Sequence, residues 1–162
     1  MKIFSTTVLL ALSFSLFAQD IIGRYRDYFG SRIELKADGN FKYTWHFDLS
    51  ASWTKGTWIL NNDTVYFYMT PTYDTIIYKN NDGTSTDKLI LSVDEIPERL
   101  TLEQNISRGL SSGGQNFQSC PDKLFFRKKR LYKIYKGQLV VKKQKGIWTN
   151  KKWNPWYFKS SE

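Results

Sequence analysis

The chain has 162 residues, with 24 Lys and Arg against 15 Asp and Glu, and a formal net charge of +9. A chain of this length is expected to form one domain with a core of its own. Its single cysteine excludes an internal disulfide, and one cysteine with one histidine is too few ligands for a zinc or copper site. We therefore predict no metal and no cofactor.

The first 20 residues have the features of an export signal. Lys2 gives a positive start, residues 8–17 are apolar except for two serines, and Ala18 is a small residue at the expected cleavage point. The apolar run is much shorter than the roughly 20 residues of a membrane-spanning helix. We predict a signal peptide over 1–18 and one mature domain over 19–162 without a transmembrane segment. The expected location is periplasmic, outer-membrane-associated or extracellular.

Short strands separated by turns are predicted along the first half of the mature chain. They cover 22–28, 32–36, 41–47, 53–60 and 65–69. In several of them apolar residues alternate with polar ones, as in a half-buried strand. Asp38-Gly39 predicts a hairpin because its turn needs positive φ, and residues 61–63 predict another turn.

The second half continues the same pattern, with predicted strands over 75–78, 88–93, 99–102, 124–127, 131–134 and 139–142. Residues 103–122 are predicted to be an irregular loop, longer than compact domains usually contain. No window shows a helical period. The fold class predicted from this spacing is all-β, an antiparallel meander that closes into a small barrel, half-barrel or sandwich.

Three motifs stand in order within residues 22–70: a Gly23-Arg24-Tyr25 start, the Asp38-Gly39 hairpin, and Gly56-Thr57-Trp58 before a second hairpin. In this order they resemble the lipocalin-like and copper-resistance-lipoprotein-like small barrels of bacterial envelopes. The resemblance implies a barrel fold in an exported bacterial protein. Those lipoproteins carry a lipidated cysteine and a paired-cysteine motif, and this chain has neither. Their metal or signalling role is therefore not implied.

No group of residues predicts catalysis. Cys120 would need a neighbouring base, and His46 is the single histidine that could serve. The chain contains no G-x-S-x-G elbow. Asp94, Glu95 and Glu98 are typical of loop charges rather than of the paired carboxylates of a glycosidase. The sequence favours a protein that is not an enzyme.

The C-terminal part, 123–162, is strongly basic. It holds 13 Lys and Arg and one acid, whereas 19–122 hold 10 and 14. Cations neutralise phosphates and carboxylates, and flat aromatic rings stack on sugars or bases. The residues predicted to bind a polyanion or a partner are Arg127, Lys128, Lys129, Arg130, Lys142, Lys143, Lys145, Lys151, Lys152, Trp153 and Trp156. In the alternative, the charges form a solvated face and the aromatics of 148–158 cap the barrel.

The sequence favours an exported, non-catalytic binding protein, with two kinds of ligand left open. One is a small apolar ligand inside the barrel. The other is an envelope polyanion, such as lipopolysaccharide or an anionic glycan, on the basic C-terminal region. Export argues against intracellular nucleic acid. The alternative function is a structural or accessory subunit of a bacterial envelope or secretion assembly, docked on a protein partner through the basic region.

Overall fold

The structure, a computed structural model, describes residues 20–109, 113–146 and 148–160. The signal peptide predicted over 1–18 lies outside the described residues. The elements in chain order are β1 (Gly23–Arg26), β2 (Ser31–Leu35), β3 (Asn40–Phe47), β4 (Ser50–Asn61), β5 (Thr64–Met69), β6 (Tyr73–Lys79), β7 (Ser85–Leu91), β8 (Arg99–Thr101), α1 (Leu102–Gly109), β9 (Lys123–Arg127), β10 (Arg130–Tyr135), β11 (Gln138–Leu139), β12 (Gln144–Lys145), β13 (Lys152–Trp153) and β14 (Tyr157–Lys159).

Eight of the described strands form a closed barrel. β1 to β5 follow one another as an antiparallel meander, and β9, β10 and β14 complete the circle back to β1. β11 extends the edge of β10 as a short hairpin. The prediction of an all-β antiparallel barrel is confirmed, and the barrel is closed rather than half-open.

The barrel interior is filled by apolar and aromatic side chains. Alternation decides which residues point inward: in β2, Ile33 and Leu35 are buried whereas Arg32 is exposed. The fully buried residues include Tyr25, Ile33, Leu35, Tyr43, Val65, Leu124, Leu131 and Tyr157. Each buried side chain of this size stabilises the fold by about 1.5–3 kcal/mol through removal of its apolar surface from water.

The two ends of the barrel differ. At one end, which we call the turn end, lie the tight turns of the β2–β3, β4–β5 and β9–β10 hairpins. Ile21 is fully buried there, and the Tyr25 hydroxyl donates a 2.6 Å hydrogen bond to the Ile21 carbonyl. The opposite end, the insertion end, carries the segment between β5 and β9.

The insertion over residues 70–122 contains a second, smaller sheet and a helix. β6 lies between β7, which is antiparallel to it, and β8, which is parallel to it. α1 follows β8 directly. The segment predicted as an irregular loop over 103–122 therefore includes a helix, and within the described residues only 113–122 lack regular elements.

A capping box explains why α1 begins where it does. The Gln104 amide donates to the Thr101 hydroxyl at 3.3 Å, and the Thr101 amide donates to the Gln104 side-chain oxygen at 2.9 Å. This reciprocal pair satisfies two of the amide groups that a helix start leaves unpaired. The Thr-x-x-Gln spacing was the sequence signal for this helix. In the described part of the chain, no helix is long and apolar enough to cross a membrane.

Gln115 joins the insertion to the barrel. Its side-chain oxygen accepts a 2.9 Å hydrogen bond from the Thr72 amide, and its side-chain nitrogen donates to the Thr70 carbonyl at 2.9 Å. Its backbone forms an isolated bridge with Trp53 in β4. Gln115 and Thr72 are both buried, so these bonds are shielded from water.

Trp58 in β4 is half-buried and packs against the barrel core, and its indole nitrogen donates a 3.1 Å hydrogen bond to the Lys36 carbonyl. Trp58→Ala is expected to lower the free energy of unfolding by about 2–3 kcal/mol, below the range for a fully buried aromatic because part of the ring is exposed. The measurement is a chemical-denaturation midpoint. Trp148→Ala is the matched control, since Trp148 is 80% exposed. Equal losses in the two variants would contradict a packing role for Trp58.

Candidate functional site

The outer face of the barrel carries four arginines in one row. Strand register aligns Arg127 with Arg130, Arg130 with Phe158, Phe158 with Arg26, and Arg26 with Arg32. Directly opposite residues point to the same side of a sheet. That side is the outer one, because the adjacent positions 25, 33 and 131 are buried. We call Arg26, Arg32, Arg127 and Arg130 the arginine row.

The arginine row extends across five neighbouring strands, from β9 through β10, β14 and β1 to β2. Neighbouring strands lie about 4.8 Å apart, so the row covers roughly 20 Å of the barrel surface. A row of this length matches several successive charges on an extended chain better than one small anion.

None of the four arginines has a carboxylate partner among the described residues. Other cations of the same surface are paired: Arg24 with Glu34 at 3.2 Å, and Lys42 with Glu95. Arg26 and Arg32 stand directly opposite each other, an arrangement that destabilises a sheet through like-charge repulsion. The row therefore presents positive charge that the described part of the chain does not neutralise.

Aromatic rings hold two of these arginines in place. The Arg26 guanidinium lies 5.1 Å from the centre of the Phe158 ring, and that of Arg130 lies 5.5 Å from the Trp156 ring. Trp156 in turn packs against Tyr132, with ring centres 5.4 Å apart. Guanidinium groups are attracted to aromatic faces and keep their hydrogen-bond donors free. The rings thus orient Arg26 and Arg130, and one face of each guanidinium group is covered by its ring.

A groove of about 400 Å³ runs along the end of the row over β1, β2 and β3. Its polar lining consists of Arg24, Arg26, Arg32, Glu34, Lys42, Thr44 and Ser160. It lies on the outside of the barrel and is open to solvent.

The structure separates the basic residues predicted from the sequence into three groups. Arg127, Arg130 and Trp156 lie on the outer face with the arginine row. Lys128 and Lys129 form the β9–β10 turn with φ of 52° and 59°, and Lys129 lies 3.7 Å from the Asp20 carboxylate. The others lie on the excursion between β11 and β14 beyond the insertion end: Lys142, Lys143, Lys145, Lys151, Lys152 and Trp153.

Aromatic contacts connect this excursion to the row. Trp153 stacks on Tyr28 at 4.7 Å, and Tyr28 contacts Phe158 at 5.0 Å. The Lys151 ammonium lies 4.3 Å from the centre of the Trp153 ring. Part of the excursion therefore borders the same surface.

Arg24, Arg26 and Arg32 were not among the predicted binding residues, because that prediction was based on the charge of the C-terminal part. These residues occupy the polar positions of the first two strands, alternating with Tyr25 and Ile33. Alternation predicts that they point outward. Their place beside Arg130 depends on β14 pairing with both β1 and β10.

The polar residues inside the barrel form a satisfied network near the insertion end. One Asp27 carboxylate oxygen accepts hydrogen bonds from the Phe29 and Ser31 amides, both at 2.9 Å, and the other lies 3.5 Å from the Lys133 ammonium. The Tyr43 hydroxyl donates to the Ser31 hydroxyl at 3.2 Å. No buried side-chain nitrogen or oxygen in the described chain lacks a partner. This network therefore leaves no polar group turned toward a ligand.

Each of the residues considered for catalysis has a different structural setting. Burial, helped by the negative charge of Asp122, raises the pKa of the Cys120 thiol to about 12, so this thiol stays protonated at neutral pH. His46 is exposed. Asp94 and Glu98 both pair with Arg108. Among the described residues, no cluster of His, Cys, Asp and Glu could hold a metal ion.

The fold and this face define a closed, eight-stranded antiparallel barrel with an arginine-rich outer surface. The chain matches no protein-family model, and no similar curated protein or solved structure was found. The barrel is consistent with a lipocalin-like one at the level of the fold.

Proposed function

We propose that this chain is an exported, non-catalytic binding protein whose arginine row binds an anionic polymer of the bacterial envelope, such as an anionic glycan or lipopolysaccharide. The observation that carries the proposal is the alignment of four arginines in one register row without a carboxylate partner among the described residues. Membership of a lipocalin-like envelope family, which rests on residues 22–70, is part of the same proposal.

The packing of the barrel favours the outer face over the interior as the binding site. Tyr25, Tyr43, Phe41 and Tyr157 fill the space in which a lipocalin-like barrel would hold a small apolar ligand. An anion bound along the outer face would, by contrast, relieve the repulsion between the aligned arginines. Guanidinium groups bind phosphate, sulfate and carboxylate through paired hydrogen bonds.

Heparin serves as a generic sulfated polymer. The logarithm of its affinity for the protein is expected to fall linearly with the logarithm of the salt concentration, because each neutralised contact releases counterions. In the double variant Arg26→Gln/Arg32→Gln, the slope is expected to fall by about two, roughly one for each arginine removed. The measurement is a fluorescence or calorimetric titration at several salt concentrations.

Lys79→Gln/Lys88→Gln is the matched control. It removes the same net charge from two exposed positions of the insertion. These positions lie in the smaller sheet, which does not contain the arginine row. An equal loss in the control would mean that net charge, not the row, attracts the polymer. Salt-insensitive binding, or none, would contradict the proposal and leave an acidic envelope protein as the ligand to test.

A further inference from the structure

The charges that line the outer groove do not cancel. Arg24 pairs with Glu34, and Lys42 pairs with Glu95 of the insertion. Arg26 and Arg32 also line the groove, and neither has a carboxylate partner in the described chain. Counted over the described residues, the groove therefore holds an excess of two positive charges, next to each other on neighbouring strands.

An excess of two charges selects among the anionic groups that glycans carry. A phosphomonoester has a charge of about −1.5 to −2 at pH 7, because its second pKa is about 6. Sulfate esters, carboxylates and phosphodiesters carry a single negative charge. We propose that this groove binds a phosphomonoester group, so that the ligand of the protein is a phosphorylated glycan. This inference rests on the proposed function and narrows it.

The geometry suits a tetrahedral dianion. Arg26 and Arg32 are Cα partners in the β1–β2 ladder and both line the groove, so the two side chains border one site. Contact with the Phe158 ring fixes Arg26, and the Thr44 hydroxyl lies in the same row beside Arg32. Each guanidinium can donate two parallel hydrogen bonds to phosphate oxygens. A groove of about 400 Å³ has room for the phosphate and an adjoining sugar ring.

The other two arginines of the row, Arg127 and Arg130, would contact the remaining part of the glycan. Arg130 stands two strands away from Arg26, beyond Phe158, at a distance of roughly 10 Å from strand to strand. A glycan whose terminal phosphate occupies the groove would pass Phe158 and meet Arg130 and Arg127 with its next charges.

The test compares glucose 6-phosphate with glucose 6-sulfate by isothermal titration calorimetry on the purified protein at low ionic strength. The two probes share a sugar and differ in charge. At pH 7.5 the phosphate is expected to bind at least about tenfold more tightly, as one additional charge-assisted contact would provide. At pH 5 the phosphate is protonated to a monoanion, and this advantage should disappear.

The sulfate probe controls for titration of the protein itself. Among the described residues, the charged and titratable groups around the site, besides Arg26 and Arg32, are Arg24 on β1, Glu34 on β2, Lys42 and His46 on β3, and Glu95 from the insertion. Any proton that the protein gains between pH 7.5 and pH 5 adds positive charge and would strengthen binding of both probes. Loss of the phosphate advantage therefore reports on the ligand's own proton.

Arg26→Gln and Arg32→Gln should each weaken phosphate binding about tenfold and reduce the preference over sulfate. Lys88→Gln is the control, since Lys88 is exposed on β7 of the insertion and belongs neither to the row nor to the groove. Equal affinities for the two probes at pH 7.5, no binding of either, or an equal loss with Lys88→Gln would overturn the inference. Heparin binding that persists without a phosphate preference would overturn this inference alone and leave the proposed function standing.

Discussion

Gly56→Ala is expected to lower the free energy of unfolding by about 3 kcal/mol or more, at the upper end of what overpacking costs. Gly56 lies in β4, paired with Phe41 of β3 on one side and Met69 of β5 on the other. A Cβ atom there would stand 2.0 Å from the Tyr68 carbonyl oxygen and 2.9 Å from the Met69 Cα. Both are backbone atoms of a strand held in the ladder, so neither can move without breaking strand pairing.

Gly114→Ala is the control for this variant, because a Cβ atom at position 114 meets nothing within 4 Å. It should leave the denaturation midpoint almost unchanged. The measurement is urea unfolding followed by tryptophan fluorescence. If Gly56→Ala unfolds at the same urea concentration as Gly114→Ala, the close approach of β5 to β4 at this position is not present in solution.

Gln115→Leu is expected to destabilise the protein by about 2–4 kcal/mol. The substitution keeps most of the side-chain volume and removes both hydrogen bonds that Gln115 makes to the segment after β5. The Thr72 amide is then buried without an acceptor, which costs about 1–3 kcal/mol, and the Thr70 carbonyl loses its donor. Most of the effect should be local, because both bonds join the start of the insertion to its last segment.

Hydrogen exchange measures this effect at the residue concerned. The Thr72 amide should exchange faster in Gln115→Leu, whereas amides in β2 and β3 should keep their protection unless the whole domain unfolds. Gln118→Leu serves as the comparison, since Gln118 is exposed in the same segment. Unchanged protection of Thr72 in Gln115→Leu would show that Gln115 does not hold the insertion.

Most of the barrel strands could be predicted from alternation and turn chemistry. The pattern at Arg32, Ile33 and Leu35 places β2 within one residue at each end, and Asp38-Gly39 places the turn that joins β2 to β3. These features are local, since the same few residues determine both the strand and the face it buries. The second and third strands could therefore be predicted from their own sequences, without knowledge of the strands that pair with them.

Features that depend on distant parts of the chain could not be predicted in this way. The parallel pairing of β8 with β6 and the position of β14 between β1 and β10 need the complete sheet order. The arginine row belongs to this class, because its members come from both ends of the described chain. α1 is a different case: its capping box was present at Thr101 and Gln104, but a helix of eight residues is too short for its hydrophobic period to stand out.

The position of β14 also affects the order in which the strands can pair during folding. It contributes three residues, yet it is the strand that joins β10 to β1, and contacts near it connect Asp20 with Lys159 across 139 positions of sequence. Pairings of such long range form late, since the loop they close costs entropy that local hairpins do not pay. Before that step Arg26 and Arg130 are on separate strands with nothing between them. A chain trapped before this step would carry the Arg26–Arg32 and Arg127–Arg130 pairs on two separate hairpins, without the complete row. Under the proposed function, full affinity for an anionic polymer is therefore expected only after β14 has paired with both β1 and β10.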